Sequence, residues 1–408
     1  MHMKTAVQFG AGNIGRGFMG QLFYEAGYRI CFVDALDSLV ESLKHAGAYP
    51  LRLLDAKTRK QLEMTIDRID ACAAGESERV AEQLAGCDVV GTAVGVKNLA
   101  GIAPLLARGI VRRRAESGKP LDIYLCENML DAAEQLKHHV LAELSEEQSR
   151  WAEEHIGFVG TTVARMVPEA RPELLKANPL LVIADSYHKL PYNGKASRAA
   201  PPPIKGLYPV ANFRAEVEMK LFVYNLGHAS LAYLGNLKGY NYVHETMEDR
   251  ELREVFSGAL EETCTALTKR YPEDITEADI TRVRKDIDLR FGNPLIRDTI
   301  KRVGRDPLRK LGREDRLIGS ALFCLSHGVE PRSIARVTGA ALRYNQPEDA
   351  EAAKLQKRIL DEGIAAVARE VTSLEPDSPL FRWILDAYES VKAYMQSTDS
   401  SGGERSVK

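Results

Sequence analysis

The stretch Phe9-Gly-Ala-Gly-Asn-Ile-Gly-Arg-Gly-Phe18 constrains the fold more than any other part of the chain. The apolar run Thr5 to Phe9 before it predicts a buried strand, and Phe18 to Ala26 after it predicts an apolar helix. Strand, glycine turn and helix in that order open a parallel βαβ unit of dinucleotide-binding type. Gly10 permits the tight turn, Gly12 lets the backbone approach a pyrophosphate, and Gly15 lets helix and strand pack closely. Asn13 and Ile14 complete the turn, and the helix N-terminus turns its N–H donors toward phosphate. A second strand, Arg29 to Val33, ends at Asp34, whose carboxylate can accept from adenosine ribose hydroxyls. That carboxylate would repel a 2′-phosphate, and Ala35-Leu36-Asp37 carries no cation to offset it. NAD is therefore expected rather than NADP. Arg16 either reaches the pyrophosphate or stays solvated at the helix start. Thr92 and Val94, at the end of a further strand, are expected to line the cofactor cleft.

Further strands are predicted up to Ile66, over Asp88 to Val94 and over Asp122 to Cys126. Helical patterns lie between them at Glu78 to Leu84, Leu99 to Ala115 and Met129 to Leu144. This alternation implies an α/β, Rossmann-like, doubly wound parallel sheet. Ile156 to Val159 and Leu180 to Ile183 are read as possible extensions of it. Asn193-Gly194, Ala199-Ala-Pro-Pro-Pro203 and Gly206 mark a linker or crossover, after which helical patterns dominate. The expected organisation is a nucleotide-binding domain over 1–195, a linker over 196–215, a mostly α-helical substrate domain over 216–395 and a disordered tail over 396–408. A length of 408 residues suits two domains. A net charge of −2 gives no reason to expect nucleic acid or membrane as a partner. The strand at Thr5 leaves no room for a signal peptide. Six cysteines without short spacing read as reduced thiols of a cytoplasmic protein, and no metal-ligand spacing is present.

Chemistry is concentrated in Lys220-Leu-Phe-Val-Tyr-Asn-Leu-Gly-His228. At ~100° per residue the amine, carboxamide and imidazole of Lys220, Asn225 and His228 fall at roughly 0°, 140° and 80° on a helix. Taken singly, each is more commonly a solvated or core residue. Together, behind a dinucleotide fold, they suit a metal-free site for alcohol oxidation.

The Lys220-x4-Asn225-x2-His228 signature resembles the polyol-specific long-chain dehydrogenases. The likeness extends through Cys126-Glu-Asn-Met129, Arg290-Phe-x-Asn-Pro294, Arg302-Val-Gly-Arg305-x-Pro-Leu-Arg-Lys-Leu311 and Asp315-Arg-Leu-Ile318. It implies that Lys220 is the general base, with a pKa well below ~10.4. It further implies that Asn225 and Asn128 donate to the substrate oxygen and that His228 holds the substrate or the Lys220 network in register. Arg305 and Arg309, one helical turn apart or sharing a turn near Pro307, suit a phosphoryl clamp. Arg297 corresponds by approximate position to a substrate-contacting arginine. The implied reaction is reversible, NAD-dependent, metal-independent oxidation of a hexitol phosphate to a ketose phosphate by a monomer. The alternative is the same chemistry on a free polyol or hexonate, or a non-catalytic NAD sensor. Val163-Ala164-Arg165 and Ala184 to Tyr192 depart from the family pattern, which leaves the polyol open. A short-chain dehydrogenase is disfavoured because its Tyr-x-x-x-Lys pattern occurs only at Tyr388 to Lys392. A 6-phosphogluconate type shares the plan but not the motif spacing.

Overall fold

The computed structural model describes residues 3–127, 129 and 131–399. Two compact units divide between Glu216 and Val217. The first holds strands β1 (Thr5–Phe9), β2 (Arg29–Asp34), β3 (Tyr49–Leu54), β4 (Gln61–Ile66), β5 (Ile69–Ala73), β6 (Val89–Thr92), β7 (Leu121–Leu125), β8 (Ile156–Gly160), β9 (Val182–Asp185), β10 (Leu190–Asn193) and β11 (Leu207–Val210). Its helices are α1 (Gly20–Glu25), α2 (Asp37–Ala46), α3 (Ser77–Gly86), α4 (Leu99–Glu116), α5 (Ala132–Ala142), α6 (Glu146–His155) and α7 (Pro172–Ala177).

Six strands form a parallel sheet in the order β5-β2-β1-β6-β7-β8. The order reverses between β1 and β6, the switch point at which doubly wound sheets bind dinucleotides. Strand periodicity sorts the side chains between two apolar layers. Ala6, Ile30 and Phe32 pack with Phe18, Leu22 and Tyr49 on one face. Val7, Phe9, Cys31 and Val33 pack with Leu84, Leu106 and Leu136 on the other. Burial on both faces is what a parallel sheet requires.

The strand ending at Ile66 is not part of this sheet. β4 pairs antiparallel with β3, and β9 joins β3 in a separate three-stranded sheet. Of the two candidate extensions, only β8 enters the main sheet. β5, which takes the edge, is a short Ile-Asp-Ala-Cys-Ala segment with little apolar signal. The helix expected from Met129 begins at Ala132. The expected linker is structured: β11 runs parallel to β10. Buried Asp122 on β7 secures the crossover by accepting from the Ser197 hydroxyl and from Arg198 N at 2.7 Å.

The chain passes into the second unit within α8 (Phe213–Met219), and helices follow: α9 (Leu226–Leu237), α10 (Val243–Glu248), α11 (Arg250–Arg270), α12 (Glu277–Phe291), α13 (Ile300–Gly304), α14 (Pro307–Lys310), α15 (Ile318–Ser326), α16 (Arg332–Leu342), α17 (Ala350–Glu362), α18 (Ile364–Thr372) and α19 (Pro379–Asp399). α9 is the apolar centre, with Leu226, Leu231, Ala232, Tyr233 and Leu234 all buried. A side chain at Gly227 would press on Phe256 and Leu260 of α11, so glycine sets that helix spacing. Residues 396–399, expected as tail, belong to α19, and 400–408 lie outside the described residues. Among the described residues no helix is long and apolar enough to cross a membrane.

Candidate active site

In the glycine turn, Gly10 adopts φ 85°, a region open to glycine without strain. A Cβ at Gly10 would lie 2.3 Å from the Ala93 carbonyl oxygen, and one at Gly15 would lie 1.8 Å from the Gly10 carbonyl oxygen. Gly12 differs: nothing lies within 4 Å of its Cβ position. Two glycines are thus required by packing within the protein, and the third borders open space beside exposed Asn13 and half-buried Ile14. Asp34, half-buried at the end of β2, closes the turn: its carboxylate accepts from Ala11 N at 2.7 Å and Leu36 N at 2.9 Å. The turn, with its open central position and adjoining carboxylate, fits a dinucleotide.

Arg16 is neither solvated nor turned outward. It is buried, donating to the carbonyls of Ala11 at 2.6 Å and Leu180 at 2.7 Å. Tyr49 donates its hydroxyl to the Arg16 carbonyl at 2.7 Å. The helix opens with a π turn, Gly15–Met19.

Thr92 is fully buried at the end of β6. Val94 is half-buried and Gly95 exposed. Both are held by Glu127, whose carboxylate accepts from Val94 N and Gly95 N at 2.8 Å each. Burial raises the Glu127 pKa, and those backbone donors oppose the rise. The sequence reading passed over Glu127, although it lies inside the quoted Cys126-Glu-Asn block. Asn128, the expected second carboxamide, lies outside the described residues.

The second unit carries the amine. Lys220–Asn225 is a π turn between α8 and α9, a feature that frequently marks functional sites. The α-helical angles therefore do not apply across it. Where hydrogen bonds run i→i+5, residues five apart come round toward the same side, which brings Asn225 nearer the Lys220 side than 140° allows. Lys220 is half-buried, and desolvation pushes its amine down to about 7. Arg316 and Arg309 push the same way, and Asp315 opposes them.

His228, on the first turn of α9, stacks on Phe291 with ring centres 4.8 Å apart and an interplanar angle of 14°. Its Nε2 lies 2.9 Å from the Asp298 carboxylate. Arg302 forks onto the same carboxylate, Nε to Oδ1 at 2.7 Å and Nη2 to Oδ2 at 2.6 Å. Burial lowers the His228 pKa against the raising effect of Asp298. Arg302 and His228 hold the Asp298 carboxyl well below the usual carboxylate range despite its burial. Arg316 acts electrostatically on both Lys220 and His228.

The expected arginines separate. Arg297, at φ 49°, is exposed and rests on Tyr242, with its guanidinium carbon 5.1 Å from the ring centre. It is the next residue, Asp298, that reaches His228. Arg305 is exposed at the end of α13, and Arg309 lies on the separate α14 across Asp306 (φ 60°), which is the tight-turn arrangement. Arg309 donates to Asp306 at 2.6 Å and to Asp315 at 2.7 Å. Buried Lys310 caps α13 by donating to the Val303 and Arg305 carbonyls. Asp315 and Arg316 lay inside the quoted Asp315-Arg-Leu-Ile318 block without an assigned role, and Asp298 was not singled out from sequence. The i,i+4 spacing of Asp298 and Arg302 was the available signal.

A doubly wound nucleotide-binding unit followed by a helical unit with a desolvated lysine has the architecture of a two-domain dehydrogenase. Residues 4–206 match the family model described as the mannitol dehydrogenase Rossmann domain. Residues 212–392 match that of the mannitol dehydrogenase C-terminal domain. The chain belongs to the mannitol dehydrogenase family. Its fold is similar to that of D-sorbitol dehydrogenase in substrate-free form, at 18% identity and TM-score 0.77 over 96% of this chain and 94% of that one. It is also similar to Pseudomonas fluorescens mannitol 2-dehydrogenase in ternary complex with NAD and D-mannitol, at 17% identity and TM-score 0.74 over 98% and 95%.

Proposed function

We propose that this protein catalyses the reversible oxidation of a hexitol phosphate to a ketose phosphate with NAD, mannitol 1-phosphate to fructose 6-phosphate, as a cytoplasmic monomer. The observation that carries the chemistry is the Lys220 amine, lowered to about 7 on the π turn that also bears Asn225. An amine titrating there is matched to general base work near neutral pH. Lys220 takes the hydroxyl proton, and Asn225 donates to the oxygen as it becomes a carbonyl. The turn at Gly10, Gly12 and Gly15 would hold the pyrophosphate and Asp34 the adenosine ribose. NAD, when bound, supplies the hydride acceptor.

Support for a phosphorylated substrate comes from charge. Eight cationic and four acidic side chains lie between Arg297 and Arg316, in a chain whose net charge is −2. A free polyol is the second reading, favoured by the engagement of Arg309 with two carboxylates that a phosphate would have to displace. A substrate panel decides between them. The phosphate reading expects kcat/KM for mannitol 1-phosphate to exceed that for mannitol by about 100-fold, the scale of one or two charge-assisted hydrogen bonds. Equal values remove the phosphate and leave polyol oxidation intact.

Asp34→Ser is expected to weaken NAD binding by roughly 10- to 100-fold, the loss of hydrogen bonds to a charged group, and to relax discrimination against NADP. Kd values for both cofactors measure this, and an unchanged ratio contradicts the ribose contact.

A further inference from the structure

His228 sits in an asymmetric environment. One ring nitrogen, Nε2, faces a carboxylate whose other contacts are already fixed: Arg302 occupies both oxygens of Asp298. The Asp298 main chain is anchored as well, its carbonyl accepting from Val243 N at 2.9 Å. Thr299, which caps α13, accepts from Arg302 N at 3.2 Å and so sets the start of the helix that carries Arg302. The carboxylate is 4% exposed and the imidazole 19%. The near-parallel Phe291 ring restrains the imidazole plane.

An ionised carboxylate only accepts, so an imidazole nitrogen 2.9 Å from it carries hydrogen. Arg302 disfavours protonation of that carboxylate, and burial disfavours the doubly protonated ring. A neutral ring with its proton on one nitrogen presents a lone pair on the other, and the partner of the first decides which is which.

We propose that Asp298 and Arg302 are a positioning pair that holds neutral His228 with its proton on Nε2, leaving Nδ1 as the acceptor for a substrate hydroxyl. This rests on the polyol-oxidising reading of the site and names how one part of it selects substrate. A second hydroxyl of the bound polyol then donates to His228 Nδ1, while the reacting hydroxyl gives its proton to Lys220 and accepts from Asn225, an arrangement that distinguishes a polyhydroxyl chain from an apolar one. Arg302 acts only through Asp298.

The test is made on the full-length protein labelled with ¹⁵N-histidine. The His228 resonances, assigned by their loss in His228→Gln, report which ring nitrogen bears hydrogen. At pH 7.5 without substrate, the wild type is expected to show protonated Nε2 and bare Nδ1. Asp298→Asn offers an amide that can also donate to Nε2, so it is expected to populate the opposite tautomer. It should raise KM for the polyol about 10- to 100-fold while NAD affinity stays within about twofold. Arg302→Lys, which keeps a cation beside Asp298, is expected to retain the wild-type tautomer and most of the activity. A wild-type ring protonated on Nδ1, or on both nitrogens, overturns the proposal. So does an Asp298→Asn variant with wild-type tautomer and wild-type KM. A purely structural salt bridge predicts loss of thermal stability in that variant with the tautomer unchanged. A wild type that oxidises no polyol or polyol phosphate rejects the proposed function, whereas the tautomer is read without turnover.

Discussion

Lys220→Ala is expected to lower kcat for polyol oxidation by about 10²- to 10⁴-fold, the range for removal of a positioned general base, and to leave NAD affinity nearly unchanged. The folded-state amine titrates at about 7. Oxidation needs its neutral form, so wild-type kcat/KM should rise with pH through about 7 and level off, while ketose reduction should fall over the same interval. The variant should lose that limb. The amine's contribution to stability should rise with pH as oxidation does, but over the interval from about 7 to ~10.4. The folded pKa lies below the unfolded value of ~10.4. The native state is therefore penalised where the amine is protonated, fully below about 7, and the penalty fades as pH rises toward ~10.4. Lys220→Met is accordingly expected to melt no lower than wild type at pH 6. A Lys220→Ala enzyme that turns over normally contradicts the role.

Gly15→Ala is expected to destabilise the protein by about 2–4 kcal/mol, overpacking against backbone that has little room to yield. The Gly10 carbonyl lies 1.8 Å from the added carbon, and Gly10 is itself tied to β2, its N–H donating to the Val33 carbonyl at 2.8 Å. NADH affinity should fall at least about tenfold, because the turn deforms. Gly12→Ala is the contrasting control. Its Cβ enters open space, so stability should stay within about 0.5 kcal/mol while NADH binding weakens. Denaturant melts and NADH fluorescence titration read both. Equal losses of stability for the two substitutions would contradict the division of roles.

The glycine turn was legible because its demands are local: Gly15 answers to the Gly10 carbonyl and Gly10 to Ala93, just past one neighbouring strand. The main parallel strands and the long helices were legible for the same reason, through period and length. β3 and β5 were not, since Tyr-Pro-Leu-Arg-Leu-Leu carries a proline and Ile-Asp-Ala-Cys-Ala has one large branched apolar side chain, Ile69, to mark it. The diversion of β9 to a second sheet depends on tertiary pairing, which no window of sequence contains. At the candidate site the reactive side chains could be named, but their setting could not. The π turn changes the angle between Lys220 and Asn225, and a uniform helical wheel has no means of showing it. Asp298, set among the cations Arg297, Lys301 and Arg302, was not singled out. Only folding turns it inward against His228 while Arg297 beside it turns out to Tyr242.

The most direct measurement is the protonation of Lys220 itself. Limiting acylation of the intact protein across pH 5–11, followed by peptide mass spectrometry, gives the reactivity of each lysine in proportion to its neutral fraction. Lys220 is expected to titrate with a midpoint near 7. A midpoint at the ordinary lysine value of ~10.4 would contradict a neutral amine at this position and the general-base assignment built on it.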